Sequence, residues 1–215
     1  MESRGGPGVF IVVEGPEGAG KSTLARWLGA RLVAEGLRVV PVREPGGTPV
    51  AEAARKVALK FPHGMSPAAE LFLFLAARAD LVERVIRPAL EAGQVVVADR
   101  FDLSTMAYQV AGAGLPLAEV TQAIRLATGG LVPDVTLVLD VPVELGRARQ
   151  RAARKVQDRF ERQDDAFHHR VREAYRRAQG PGVVHLDATQ PKTFVQDAAW
   201  REVMAATALS TRGTS

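Results

Sequence analysis

Val9-Phe10-Ile11-Val12-Val13-Glu14-Gly15-Pro16-Glu17-Gly18-Ala19-Gly20-Lys21-Ser22-Thr23 is the stretch whose reading settles the fold. Its first five residues are apolar and mostly β-branched, as in a strand buried on both faces. Gly15 to Ser22 fits G-x-x-x-x-G-K-[ST], and Ser22–Glu35 has helical periodicity. Strand, glycine-rich loop and helix in that order make a phosphate-binding loop. Glycines let backbone N–H groups turn inward around phosphate oxygens, and the helix N-terminus adds its positive dipole end. Lys21 reaches the β- and γ-phosphates, and the Ser22 hydroxyl ligates Mg²⁺. The expected ATP-binding set is Gly15, Pro16, Glu17, Gly18, Ala19, Gly20, Lys21, Ser22 and Thr23, with Lys21 catalytic and Mg²⁺ the implied cofactor.

Further apolar runs recur at Arg38–Val42, Gln94–Ala98, Val135–Val141 and Val183–Leu186. Between them lie helical patterns at Pro67–Ala92, Leu103–Gly112, Leu117–Ala127, Val143–Arg154 and Phe167–Gln179. Strands alternating with helices imply parallel crossovers and a sheet covered on both faces. The expectation is one α/β domain over residues 1–215, a three-layer P-loop NTPase fold with a parallel five-stranded sheet flanked by helices. A short helical lid is expected at about 147–162, and a mobile tail of small and polar residues at about 209–215.

The 215 residues are 47% hydrophobic, enough for one core. There is no cysteine, which excludes disulfides, thiolate metal sites and cysteine nucleophiles together. No apolar run reaches membrane-spanning length and the start lacks a signal-peptide pattern, so a cytoplasmic protein is expected. Net charge is +4, yet Arg147 to Arg177 alone holds eleven Arg/Lys against five Asp/Glu. The basic character therefore belongs to one segment.

Transfer to an acceptor needs evidence beyond the loop, because hydrolases and kinases share it. Glu17 stands inside the loop, where a carboxylate beside polyphosphate is unfavourable unless it faces a different group, such as a sugar hydroxyl. Arg43-Glu44-Pro45-Gly46-Gly47-Thr48 follows the second strand, and strand ends are where ligands sit in open parallel sheets. There Arg43 suits a phosphate and Pro45 stiffens the backbone. Phe74 and Arg78 are four apart on one helix face, a ring to stack on a base and a guanidinium to hold its edge or a phosphate. One of Phe72 and Phe74 is expected in the core. Asp99-Arg100 ends an apolar strand: Asp99 suits Mg²⁺ coordination and Arg100 a phosphate clamp. Arg100, Ser104 and Tyr108 follow at four-residue steps.

Arg147, Arg149, Arg151, Arg154 and Lys155 occur with no acidic residue between Leu145 and Gln157. Arginines on a closing flap neutralise charge on a moving phosphoryl group and exclude water. Each feature alone has a plainer reading. Glu17 could face solvent, Arg43–Thr48 could be an ordinary turn, and Asp99-Arg100 could be a structural ion pair. The basic run could be a solvated face or a nucleic-acid patch.

Taken together, the residues resemble those of bacterial thymidylate kinases (dTMP kinases), from about Phe10 to Val203. The matching pieces are Glu14 to Thr23, Arg43 to Thr48, Phe74 to Arg78, Asp99-Arg100-Phe101, Leu103-Ser104-Thr105, Ala107-Tyr108-Gln109, Pro133-Asp134, and Asp158-Arg159 with Glu161. The resemblance implies transfer of the γ-phosphoryl of ATP to dTMP. It implies a dTMP site of Glu17, Arg43, Pro45, Phe74, Arg78, Arg100, Ser104, Thr105, Tyr108 and Gln109. Glu17 would contact the deoxyribose hydroxyl, Phe74 would stack on thymine, and Tyr108 would disfavour a ribose 2′-hydroxyl. Catalysis would fall to Lys21, Asp99, Arg100, Arg151 and Arg154, with Ser22 and Asp99 holding Mg²⁺. The resemblance also implies a homodimer and a loop near Asp187-Ala188-Thr189 close to adenine, with no nucleic-acid or membrane partner. Lys56–Met65 departs from the family pattern, and Asp165 stands where an apolar helix position is expected. Alternatives are another nucleoside monophosphate kinase or a non-catalytic P-loop module.

Overall fold

The computed structural model describes residues 8–61, 64–153 and 159–212. Five parallel strands, β1 (Val9–Glu14), β2 (Val39–Arg43), β3 (Val95–Asp99), β4 (Val135–Asp140) and β5 (Val183–Asp187), form one sheet in the order β2-β3-β1-β4-β5. The register pairs Val13 of β1 and Arg43 of β2 with Asp99 of β3, and Glu14 of β1 with Val138 of β4. Glu14, Arg43 and Asp99 therefore gather at the C-terminal ends of neighbouring strands, where an open parallel sheet binds ligands.

Alternation along β1 sorts the core into two layers. Val9, Ile11 and Val13 face α1 (Lys21–Ala34) and α9 (Lys192–Arg212), packing on Leu24, Leu28, Leu32, Ala199 and Val203. Phe10 and Val12 face α3 (Pro67–Leu81) and α4 (Arg87–Glu91), packing on Leu81, Ile86 and Ala89. Leu24, Leu28 and Leu32 recur every four residues and are buried. Each contributes roughly 1.5–3 kcal/mol of burial, so α1 holds the phosphate loop rigidly on the sheet.

The expected helix Pro67–Ala92 is interrupted by a π-helical turn at Val82–Ile86, where the Arg87 N–H reaches back to the Val82 carbonyl. Pro88 is the cause: it has no N–H, and its ring displaces the carbonyl four residues earlier. A second π segment, Met106–Gly112, extends α5 (Asp102–Thr105). The remaining helices are α2 (Pro49–Lys60), α6 (Leu117–Thr128), α7 (Val143–Ala152) and α8 (Asp165–Arg177).

Helices α2 and α9 were not expected from the periodicity. Thr48 caps α2 by accepting from the Ala51 N–H at 3.1 Å, and Pro49 opens it. The stretch expected as a tail from 209 continues as α9 through Arg212. Asp165 is explained by a helix start two residues earlier than expected. It occupies the first turn of α8 behind the Asp164 cap, where an acid suits the helix dipole. Among the described residues no helix is long and apolar enough to cross a membrane.

Candidate active site

A cavity of about 610 Å³ opens over the C-terminal ends of β1, β2 and β3. One wall is the phosphate loop. Gly15 (φ 138°), Gly18 (φ 73°) and Gly20 (φ 96°) take backbone conformations that side chains rarely adopt. A Cβ on Gly18 would lie 2.2 Å from the Gly146 carbonyl oxygen, so the loop and α7 meet backbone to backbone. Gly15, Pro16 and Ala19 shape the loop from behind, while Glu17, Gly18, Gly20, Lys21, Ser22 and Thr23 line the cavity.

Lys21 is buried, and its ammonium donates to the Pro16 carbonyl at 2.7 Å. Burial, with Arg100 nearby, brings its pKa down to about 8, against the pull of Glu17, Asp99 and Glu14. The Ser22 hydroxyl donates to Asp99 Oδ2 at 2.5 Å. A hydroxyl and a carboxylate meeting beside a phosphate loop are hard oxygen donors suited to Mg²⁺. No group of three His, Asp or Glu gathers for a metal among the described residues, so such an ion would complete its shell with phosphate oxygens and water.

The opposite wall is built from side chains. Arg100 takes φ 78°, uncommon for a non-glycine residue, in the turn between β3 and α5. That turn is locked from behind by Glu14, a fully buried carboxylate. Its Oε1 accepts from the Phe101 and Ser104 N–H groups at 2.7 and 3.0 Å. Its Oε2 accepts from the Ser104 and Tyr175 hydroxyls at 2.7 and 3.0 Å. Burial pushes the Glu14 pKa up, and these donors with Arg100 oppose it.

So oriented, Arg100 donates to Glu17 Oε1 at 2.5 Å, to Ser104 Oγ at 3.0 Å, and to the Tyr108 and Tyr175 hydroxyls at 3.3 Å. Its guanidinium carbon lies 5.1 Å from the Tyr108 ring centroid. The Tyr108 hydroxyl donates to Glu17 Oε1 at 2.7 Å. Burial would raise the Glu17 pKa, but Arg100, Lys21 and Tyr108 outweigh it and hold the carboxyl at about 2. The ion pair of this motif is Arg100 with Glu17, and Asp99 instead holds Ser22.

Beyond Arg100 the cavity becomes aromatic. Phe74 lines it and packs on Phe160 with ring centroids 5.8 Å apart, and Tyr108 meets Phe160 edge-on at 5.5 Å. Phe72, the alternative ring, is exposed rather than in the core. Arg78 is buried and already engaged: it donates to Glu44 Oε2 at 2.8 Å, Thr105 Oγ1 at 2.9 Å and the Phe101 carbonyl at 2.9 Å. Among the described residues Glu44 Oε1 is buried without a hydrogen-bond partner. Arg43, Pro45, Thr105 and Gln109 also line the cavity, as does Arg55, whose guanidinium donates to the Pro45 carbonyl at 2.8 Å.

The lid residues divide. Arg149 lines the cavity and donates from two nitrogens to the Ala188 carbonyl at 3.0 Å, beside the loop expected near adenine. Arg147 pairs with Asp165. Arg151, expected to be catalytic, is exposed and does not line the cavity, because it sits over half a helical turn from Arg149. Arg154, with Lys155 and Asp158, lies outside the described residues. Glu14, Tyr175, Phe160 and Arg55 were not singled out as site residues from sequence, and Arg149 was named only as one of several flap arginines. The signal for Glu14 was a carboxylate closing an otherwise apolar strand.

A phosphate loop facing a separate aromatic pocket across an arginine–carboxylate pair defines a class, the P-loop nucleoside monophosphate kinases, ATP-dependent phosphotransferases. The family model described as thymidylate kinase matches residues 13–199. A thymidylate kinase of Pseudomonas fluorescens (strain SBW25) is 50% identical over 195 residues, covering 89% of this chain and 92% of that protein. Those of Thermomicrobium roseum and Deinococcus radiodurans are 47% and 45% identical over 197 and 200 residues, covering 90% and 91% of this chain and 93% and 96% of theirs. The chain belongs to the thymidylate kinase family.

Proposed function

We propose that the protein transfers the γ-phosphoryl of ATP to dTMP, giving dTDP and ADP in dTTP biosynthesis. The observation that carries this reading is the placement of Arg100. It stands between the phosphate loop and the aromatic pocket, where an acceptor phosphate would lie in line with a γ-phosphate. A dTMP phosphate oxygen bonds to the γ-phosphorus as the bridging bond to the β-phosphate breaks, and ADP leaves. Lys21 and the loop N–H groups hold the donor. Arg100 and Arg43 hold the acceptor phosphate, and Phe74 offers a face to thymine. Tyr108 and Glu17, hydrogen-bonded to each other, hold the deoxyribose. Ser22 and Asp99 would hold Mg²⁺, which supplies charge neutralisation to the polyphosphate. From the lid, Arg149 reaches the phosphate loop at the Gly18 carbonyl, 3.5 Å away, and Arg154 is a further lid arginine for the transferred phosphoryl.

The same reading includes a single kinase domain that works in the cytoplasm as a homodimer. Helices α2, α3 and α6 pack together and expose Val50, Val57, Phe72, Leu117 and Leu126, an apolar surface suited to a second copy. Sedimentation should then give twice the 23.0 kDa chain mass, and a single-chain mass would contradict it. The function is tested by ADP release with a panel of monophosphates. dTMP should be the preferred acceptor, and a preference for AMP, GMP or UMP would overturn the reading.

A further inference from the structure

Glu70 lies in the first turn of α3 and is buried, although it belongs to neither the phosphate loop nor the arginine cluster. It heads a stripe: Glu70, Phe74 and Arg78 follow at four-residue steps on one helix face. Its Oε1 accepts from Gln109 Nε2 at 2.8 Å, and its Oε2 accepts from the Arg159 guanidinium. Gln109 sits in the π segment Met106–Gly112 and lines the cavity beside Phe74, Thr105 and Phe160. Arg159 belongs to the lid, immediately before Phe160, which packs on Phe74 and Tyr108.

An ionised carboxylate can only accept hydrogen bonds. The arm of Gln109 that touches Glu70 must therefore be its NH₂ group, and the other arm is its carbonyl oxygen. Among the described residues no donor is recorded on that oxygen. It is left for the cavity, which Gln109 lines together with Phe74 and Thr105. A base edge meeting it must present an N–H. Neutral thymine does so at N3, whereas cytosine presents a lone pair at the same position.

We infer that Glu70 is a positioning residue for base selection: it fixes the orientation of the Gln109 amide, and through Arg159 it ties that orientation to the seating of the lid. The inference rests on the dTMP reading above and deepens it. Two observations carry it, the acceptor-only chemistry of Glu70 and its simultaneous hold on a pocket residue and a lid residue. A purely structural Glu70 would affect all acceptors alike.

The test is kcat/KM for dTMP and for dCMP, with the KM for ATP, in the full chain and its variants. The native protein should prefer dTMP by about a hundredfold or more. Glu70→Gln offers Gln109 a partner that donates as well as accepts, so the amide can turn over. The preference should narrow by about tenfold, with the KM for ATP within about twofold of native. The double variant Glu70→Gln/Gln109→Glu again places an acceptor-only group at position 109, and it should recover the preference. Arg159→Gln should raise the KM for both monophosphates in proportion. If Glu70→Gln does not fold, Glu70→Asp takes its place: it keeps acceptor-only chemistry and should keep the preference while KM rises, and a narrowed preference would overturn the role. A dTMP:dCMP ratio unchanged by Glu70→Gln in an enzyme that uses dTMP would overturn only the positioning role. A native enzyme that ignores dTMP and phosphorylates another monophosphate would overturn the dTMP reading and this role with it.

Discussion

Gly15–Ser22 and the Arg100 cluster face each other across one cavity, and they grip phosphate by different means. On the donor side the grip is backbone: positive-φ glycines, a helix N-terminus, and one buried lysine waiting on the Pro16 carbonyl. On the acceptor side it is side chains: Arg100 held by Glu17, Ser104, Tyr108 and Tyr175, with Glu14 locking the turn from below. Backbone N–H groups recognise any polyphosphate, and a glycine-rich loop is local in sequence. A side-chain cluster can recognise a sugar and a base, but it must be assembled from distant segments. The donor side is thus generic and the acceptor side selective.

Substitutions can separate the two sides. The largest effect is expected from Lys21→Ala, which removes the charge that reaches the transferred phosphoryl. Turnover should fall about a thousandfold or more with the far-UV spectrum unchanged. Surviving activity would show that the loop does not hold the donor. Arg100→Gln comes next. It removes the acceptor clamp and leaves Glu17 without its ion-pair partner, so kcat/KM for dTMP should fall about a hundredfold or more. The KM for ATP should change much less, and equal changes in both would erase the distinction between the sides.

Glu17→Gln should act more mildly, raising the KM for dTMP roughly tenfold while ATP binding changes little. With its carboxyl held at about 2, Glu17 stays ionised wherever the protein is assayed, so this effect should be the same at pH 6 and pH 8, with ~ the same fold-change at each. The smallest effect is in stability. Burial holds the folded-state pKa of Lys21 at about 8, below its ordinary 10.5. Between those values the unfolded chain binds more protons, so this residue contributes a stability that rises with pH through that window. In the unliganded protein the melting temperature of native minus Lys21→Met should climb by roughly 5–10 °C across it. A flat difference would mean that the lysine keeps its ordinary pKa.

The same contrast explains what could be read in advance. All five strands were legible, with ends shifted by a residue or so, because buried parallel strands are continuous apolar runs. Helix α2 was not: its buried face is Ala51, Ala54 and Ala58, too weakly apolar to mark a stripe, and it follows a Pro-Gly-Gly turn. In the site, the loop residues were legible because their roles depend on local backbone geometry. Ser104 and Tyr108 were legible from their four-residue spacing, whereas Arg100 lies outside the helix and reaches them from the left-handed turn before α5. Tyr175 was not, since it meets Glu14 from 161 residues away. Arg149 and Arg151 could not be ranked until the axis of α7 was known. Glu70 reads as an ordinary helix-start acid until Gln109 and Arg159 are brought to it.

The most direct test follows the phosphorus. With ATP labelled at the γ-phosphate, excess dTMP and Mg²⁺, the label should pass to dTDP in step with ADP formation, and omission of dTMP should leave the ATP largely intact. Label released as inorganic phosphate at the same rate with and without dTMP would contradict the account, because the second wall of the cavity would then hold no acceptor.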